Sequence, residues 1–379
     1  MSPAAPEPAE SFFCDANAGG PVDAEVLALF LDVERHCPGN PASSHAPGRR
    51  AKAVLEEARA RIATALGVDP DDVVFTSGGT EAANLAVSGL GDLDLPVLLG
   101  EVEHPAVSEP ALQRGVVRWG MDHRGSVLVT APGERVGLCC LVHAQSELGT
   151  LQPVETAAAL AKSLGVPIFV DAAQTLGRMP LANTIAVASA VSLSPHKCGG
   201  LRGHGVLVGR GIAARLQPRM RGGGQEQGLR PGTQSPALAA ANALAIERAT
   251  NEQSQRAANM AATRSAFLAG LSHSSVEHEV LTPLDASLPN TVMVRFPNVD
   301  GRNLLPALDL SGIHASHGSA CSSGAPTPPR VLLAIGLDET AARACVRFSF
   351  GWREARQAAE SAGRLAGSVV RVRQKKNSG

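Results

Sequence analysis

Lys197 follows an apolar run in VSLSPHKCGGLRGHGVLVG, with Ser194 and His196 in the same turn and glycines behind it. A lysine placed there could form a Schiff base with a carbonyl if burial lowers its pKa toward neutrality. Ser194 and His196 can donate hydrogen bonds to a phosphate from that turn. Alone, a lysine after a strand would be a solvated surface residue, but two further segments shift the balance. In VVFTSGGTEAANLAV, a strand, a Gly-rich turn and a helix start would gather the N–H groups of Gly78, Gly79 and Thr80 around one point. A helix N-terminus favours an anion there. The pattern is neither a Walker loop nor GxGxxG, and a tight structural turn accounts for it nearly as well. In PIFVDAAQTLG, an apolar strand ends in Asp171 and Gln174 follows one turn later. Ligands of open α/β sheets sit beyond strand C-termini, so Asp171 could pair with a protonated pyridine nitrogen. A helix cap explains the same aspartate equally well.

The seven cysteines, Cys14, Cys37, Cys139, Cys140, Cys198, Cys321 and Cys345, include no CxxC pair, so neither a zinc site nor a disulfide framework is expected. Cys139, Cys140 and Cys345 lie in apolar contexts and read as core thiols. Cys321 differs: HGSACSSGAPTPP is rich in small residues, Gly and Pro, a composition that suits a mobile loop. A nucleophilic thiol needs that kind of access.

These groups need a scaffold, and the pattern supplies one. VVFTS, PVLLG, VGLCCLVHA, PIFVDAA and AVSLS read as strands; AKAVLEEARARIATAL, TEAANLAVSGL and ETAAALAKSLG read as helices. The alternation predicts an α/β fold with a mostly parallel sheet. After Pro236, one long helical stretch reaches LAGLS, and TVMVRF and ACVRFSFG are strands of a smaller α+β lobe. We therefore expect a large domain over residues 15–250 and a small one over 251–379, with residues 1–14 packed on the latter or disordered. The tail RVRQKKNSG reads as a frayed, solvated terminus. Hydrophobic residues are 44%, charged residues 18%, and the net charge is −1. That excludes a global field for nucleic acid or an anionic membrane. No run is long enough for a membrane span and no signal peptide begins the sequence, so a cytoplasmic protein is expected.

The segments TSGGTEAANLAV, EHPAV, VDAAQ, SLSPHK, GGGQEQGLRPGTQ and GSACSSG, in that order, resemble the cysteine desulfurases of the class V aminotransferase group. The resemblance runs from DANAGGPVD, at about Asp15, through NPASSHAPGRRA to VRFSFG. It implies the fold type I of pyridoxal-phosphate (PLP) enzymes, pyridoxal 5'-phosphate as cofactor, L-cysteine as substrate, a homodimer, and a sulfur-acceptor protein as partner. By resemblance, Lys197 carries the cofactor, Asp171 holds its ring nitrogen and Gln174 its phenolic oxygen. His104 stacks on the ring and assists proton transfer, although alone it would read as a helix cap or surface histidine. Gly79, Thr80, Ser194 and His196 hold the phosphate, and Thr233 reaches the phosphate of the neighbouring subunit. Arg347 clamps the substrate carboxylate. Arg230 is a rim residue or a structural one. The GSACSSG segment is similar to the branch with a long Cys loop, in which Cys321 accepts sulfur as a persulfide and passes it to a protein. No metal and no direct nucleic-acid or membrane contact is implied.

Two departures stand out. Where the family carries paired asparagines, this chain has Gln145 and Ser146, so Ser146 takes a cofactor-side position with a shorter reach. A usual pair of threonines is replaced by Gly19 and Gly20. Selenocysteine lyase, aminotransferase and a catalytically degenerate sulfur-transfer scaffold are the competing readings.

Overall fold

A computed structural model describes residues 11–318 and 328–377 of the chain. After β1 (Phe12–Phe13) come seven strands of one sheet: β2 (Val73–Thr76), β3 (Val97–Gly100), β4 (Val116–Trp119), β5 (Leu138–Val142), β6 (Ile168–Asp171), β7 (Ala190–Leu193) and β8 (Gly205–Val208). All but β4 are buried along their length, the near-continuous apolar runs of a sheet covered on both faces. The order is β2-β8-β7-β6-β5-β3-β4, and only β8 runs against its neighbours. The α/β, mostly parallel architecture is thus the one expected. The consequence for function is that β3, β5, β6 and β7 end at the same edge.

Helices cover both faces. Ala46–Leu66 buries Ala51, Leu55, Ala58, Ile62 and Leu66, a stripe at helical spacing. His45 caps its start, and Gly67 at φ 70 closes its end in the left-handed conformation that glycine adopts without strain. This helix packs on Pro236–Asn251, which begins at the cap Ser235. The expected single helix beyond Pro236 is broken in two. Glu252 leaves helical geometry at φ −92, ψ 5, and Gln253–His273 starts afresh. The Glu252 carboxylate bridges the break, pairing with Arg248 at 3.1 Å and Arg256 at 2.9 Å.

Farther along the chain come β9 (Glu279–Val280), β10 (Thr291–Arg295), β11 (Ile313–His314) and β12 (Cys345–Ser349). β10 pairs antiparallel with both β9 and β12. Phe267, Phe296, Phe348 and Phe350 form a second packing centre here, with Cys14 in the same cluster. The N-terminal arm is tied down where description begins, since β1 pairs in parallel with β11. The tail also departs from expectation: Arg356–Asn377 is helical and packs on Gln253–His273. Glycines let the two helices touch, because a Cβ on Gly363 would come within 2.1 Å of the Phe267 carbonyl. Gln374 then donates to the Pro297 carbonyl at 2.9 Å, so a segment expected to fray is helical, although Val372 stays exposed.

Candidate active site

Where the parallel strands end, a cavity of about 490 Å³ opens. Its wall includes Gly79, Thr80, His104, Ser146, Asp171, Gln174, Ser194, His196, Lys197 and Arg347. Ten of the site residues read from the sequence, supplied by five strand ends and the smaller sheet, are thereby brought together. Two are not among them. Thr233 is exposed and away from the cavity wall, and Cys321 lies outside the described residues. The described residues on either side of Cys321, Gly318 and Pro328, both line the cavity.

β2 runs through a Gly-rich turn into the helix Gly79–Gly89. The cap residue, Gly78, has no side chain to accept from the first-turn N–H groups, which leaves them for an anion. A Cβ on Gly79 would stand 2.4 Å from Ser194 Oγ, so any side chain there would displace that hydroxyl. The cradle formed by this turn, Thr80, Ser194 and His196 has the donors and the space that a phosphate requires. Burial, with Lys197 and Arg202 nearby, lowers His196 to about 4. His196 is therefore a neutral hydrogen-bonding group at pH 7.

Asp171 ends β6, and its Oδ1 accepts from Ser192 Oγ at 2.8 Å and from the Ala173 N–H at 3.0 Å. One oxygen is thus spent on the turn that follows, and the residue also lines the cavity. His104 caps the helix Pro105–Leu112, its Nδ1 accepting from the Ala106 N–H at 3.1 Å. Partial enclosure lowers its pKa, with Asp171 opposing and Lys197 adding to the shift. Lys197 sits in the short turn Pro195–Lys197 after β7, half-buried on the cavity wall.

On the opposite side, Arg347 projects from the centre of β12 and is 2% exposed. Its Nη2 pairs with Asp15 Oδ1 at 2.5 Å, and its Nη1 donates to the carbonyls of Ser146 and Gly318, each at 3.0 Å. Among the described residues its Nε is buried without a partner, a donor left over for a ligand. Arg230 is not on the cavity wall; its Nε donates to Glu81 Oε1 at 2.8 Å and ties its loop to the helix Gly79–Gly89.

The two departures have local consequences. Gln145 turns back on its own loop, its Oε1 accepting from the N–H groups of Glu147 and Leu148. The Ser146 carbonyl accepts from Asn17 as well as from Arg347. Gly19 has φ +148, a backbone that a threonine would resist, whereas a Cβ on Gly20 would meet nothing within 4 Å.

Several functional groups escaped the sequence reading. Glu103 lines the cavity, and its Oε1 accepts from the Val142 N–H at 2.6 Å, while Oε2 is buried with no partner among the described residues. Burial, reinforced by the Asp171 charge, raises this carboxyl to about 8. The only sequence signal was its place directly before His104. Asn17, Arg178 and Asp15 were also missed, for their partners lie far along the chain.

Five of the other thiols are poor nucleophiles. Burial pushes Cys139, Cys198 and Cys345 up to about 12, and Cys14 and Cys140 well above the ordinary thiol range. Among the described residues no cluster of three His, Cys, Asp or Glu side chains could hold a metal, and no helix is long and apolar enough to cross a membrane.

Residues 12–360 match the model of the aminotransferase class-V family. A cysteine desulfurase of Frankia sp. (strain EuIK1) is 35% identical over 389 aligned positions, covering 95% of this chain and 92% of the relative. Among solved structures, a NifS-like protein superposes with a TM-score of 0.87 at 30% identity, over 96% of this chain and 100% of that one. SspA in complex with cysteine superposes with a TM-score of 0.77 at 26% identity, over 90% of this chain and 99% of that one.

Proposed function

The chain belongs to the aminotransferase class-V family, and from that membership we propose that it is a PLP-dependent cysteine desulfurase. The observation that carries the reading is the meeting of Lys197, Asp171 and His104 with Arg347 across one cavity, beside a phosphate-shaped cradle. PLP, when bound, supplies an electron sink for the carbon next to the substrate amino group. Gly79, Thr80, Ser194 and His196 would hold its phosphate, Asp171 its ring nitrogen, and Gln174 and Ser146 would lie on the phenolic-oxygen side. His104 would stack on the ring.

Each protein group then has one task. Arg347 binds the carboxylate of L-cysteine, with the spare Nε donor available to it. Lys197 would anchor the cofactor and, as a free amine, would be the base for the Cα proton. The neutral imidazole of His104 is suited to relay a proton. The thiolate of Cys321 attacks the substrate sulfur, so that an S–S bond forms as the C–S bond breaks. The substrate carbon takes a proton and leaves as L-alanine. L-cysteine plus the thiol gives L-alanine plus a persulfide, and no outside electrons are needed. An acceptor protein would collect the sulfur.

We also read the chain as two domains, residues 15–250 and 251–379, and as a homodimer in which the exposed Thr233 reaches the partner's cofactor phosphate. The free cysteines favour the reducing cytoplasm.

The test is alanine and sulfide production from L-cysteine with a reductant. Parent protein should turn over, and Cys321→Ala should keep the cofactor but lose turnover. Parent-rate sulfide release by that variant would overturn the persulfide step. Efficient use of selenocysteine alone would instead favour the lyase.

A further inference from the structure

Arg178 is 4% exposed, one helical turn's spacing after Gln174, and has no part in the roles above. Its Nη1 donates to Gln174 Oε1 at 2.6 Å and to Asn17 Oδ1 at 2.8 Å, and its Nη2 to the Ala16 carbonyl at 3.0 Å. None of these acceptors is a carboxylate, so the guanidinium is satisfied geometrically but not neutralised. Burial, with Cys198 opposing and Arg347 adding to the shift, lowers its pKa only to about 10. The cation therefore persists at neutral pH, in surroundings where a charge acts strongly.

Its effect on Gln174 follows from donor chemistry. Arginine has donors and no acceptor, so the amide oxygen of Gln174 must face it. The amide nitrogen is thereby turned the other way. One of its hydrogens goes to the Asn17 carbonyl at 3.1 Å, and the second is left for the cavity that Gln174 lines. Asn17 is fixed in turn, donating to the Ser146 carbonyl at 3.0 Å and to Thr291 Oγ1 at 2.9 Å. The amide cannot flip without breaking the contact to Arg178.

We propose that Arg178 is a positioning residue that locks the Gln174 amide with its N–H side toward the cavity and biases that corner toward an anionic oxygen. The inference rests on the cofactor reading above, in which that oxygen is the phenolic oxygen of PLP. A cation behind the donor favours the deprotonated oxygen, so removing the charge must raise the pH at which the proton shared by the cofactor and Lys197 is lost.

The measurement is the pH midpoint of the visible absorption band of purified, cofactor-loaded protein. Arg178→Met and Arg178→Gln, both neutral, should shift the midpoint upward by about one pH unit. Arg178→Lys, which keeps the charge, should shift it by less than half as much. Arg178→Gln retains donors and stands in if Arg178→Met fails to fold. Yellow neutral variants with the parent midpoint, or a lysine variant shifted as far as the neutral ones, would overturn the proposal. A colourless parent would instead overturn the cofactor reading on which it rests.

Discussion

The cavity has two kinds of wall. One is made of strand ends, where β3, β5, β6 and β7 hand over to His104, Ser146, Asp171 and Lys197 within a few residues. The other is assembled from distant pieces: Arg347 on β12 reaches Asp15 across 332 residues of sequence, and Asn17 reaches Thr291 across 274. The first wall is suited to a cofactor, since each group is fixed by the strand behind it. The second holds the substrate clamp, whose position depends on the packing of the N-terminal segment against the smaller sheet. Cofactor binding and substrate binding should therefore fail separately when the two walls are damaged.

The largest expected effect is on the strand-end wall. Lys197→Ala should lower kcat by about 1,000-fold or more, because both the anchor and the base are lost. Turnover and absorbance together check this, since the visible band should change in the same protein. On the other wall, Arg347→Met should cut kcat/KM by about 100-fold, mostly through KM, while the absorbance of bound cofactor stays at the parent value. A matching fall in cofactor affinity would erase the distinction between the walls.

A milder effect is expected at the cradle. Gly79→Ala places a methyl group against Ser194 Oγ, and should weaken cofactor binding about 10-fold with KM for cysteine little changed. Equilibrium dialysis of the cofactor measures it directly.

Glu103 sharpens the comparison through pH. Its folded-state pKa, about 8, is raised from an ordinary value of 4.5. Its favourable contribution is complete below pH 4.5 and is lost as pH climbs to about 8. Glu103→Gln keeps the oxygen that accepts from Val142 and cannot ionise. Its Tm should thus fall less than the parent's between pH 5 and pH 9, with turnover at pH 7 within about threefold of the parent. Parallel Tm curves would show that the buried carboxyl does not titrate in this range.

The difference between the walls also explains what could be read from the sequence. A strand followed by Asp171, or by SPHK, writes a site in consecutive residues, so hydrophobic run and chemistry were visible together. Arg347 was found only through its motif; nothing near it announces Asp15 or the Ser146 carbonyl. Arg178 and Asn17 were illegible because their roles exist only once the N-terminal segment is folded back onto the loop after β6. The break at Glu252 was hidden by residues that suit a helix throughout, and the C-terminal helix by a basic composition that packing overrides. Nothing in the sequence around Glu103 announces the Val142 N–H or the cavity that enclose it.

The most direct test of the account is one turnover without reductant. Cofactor-loaded protein is mixed with one equivalent of L-cysteine, alanine is counted, and the mass of the peptide containing Cys321 is measured. One alanine per active site and the mass of one added sulfur on that peptide is the predicted result. Alanine formed with no sulfur on Cys321, or sulfur found on one of the buried thiols, would contradict it.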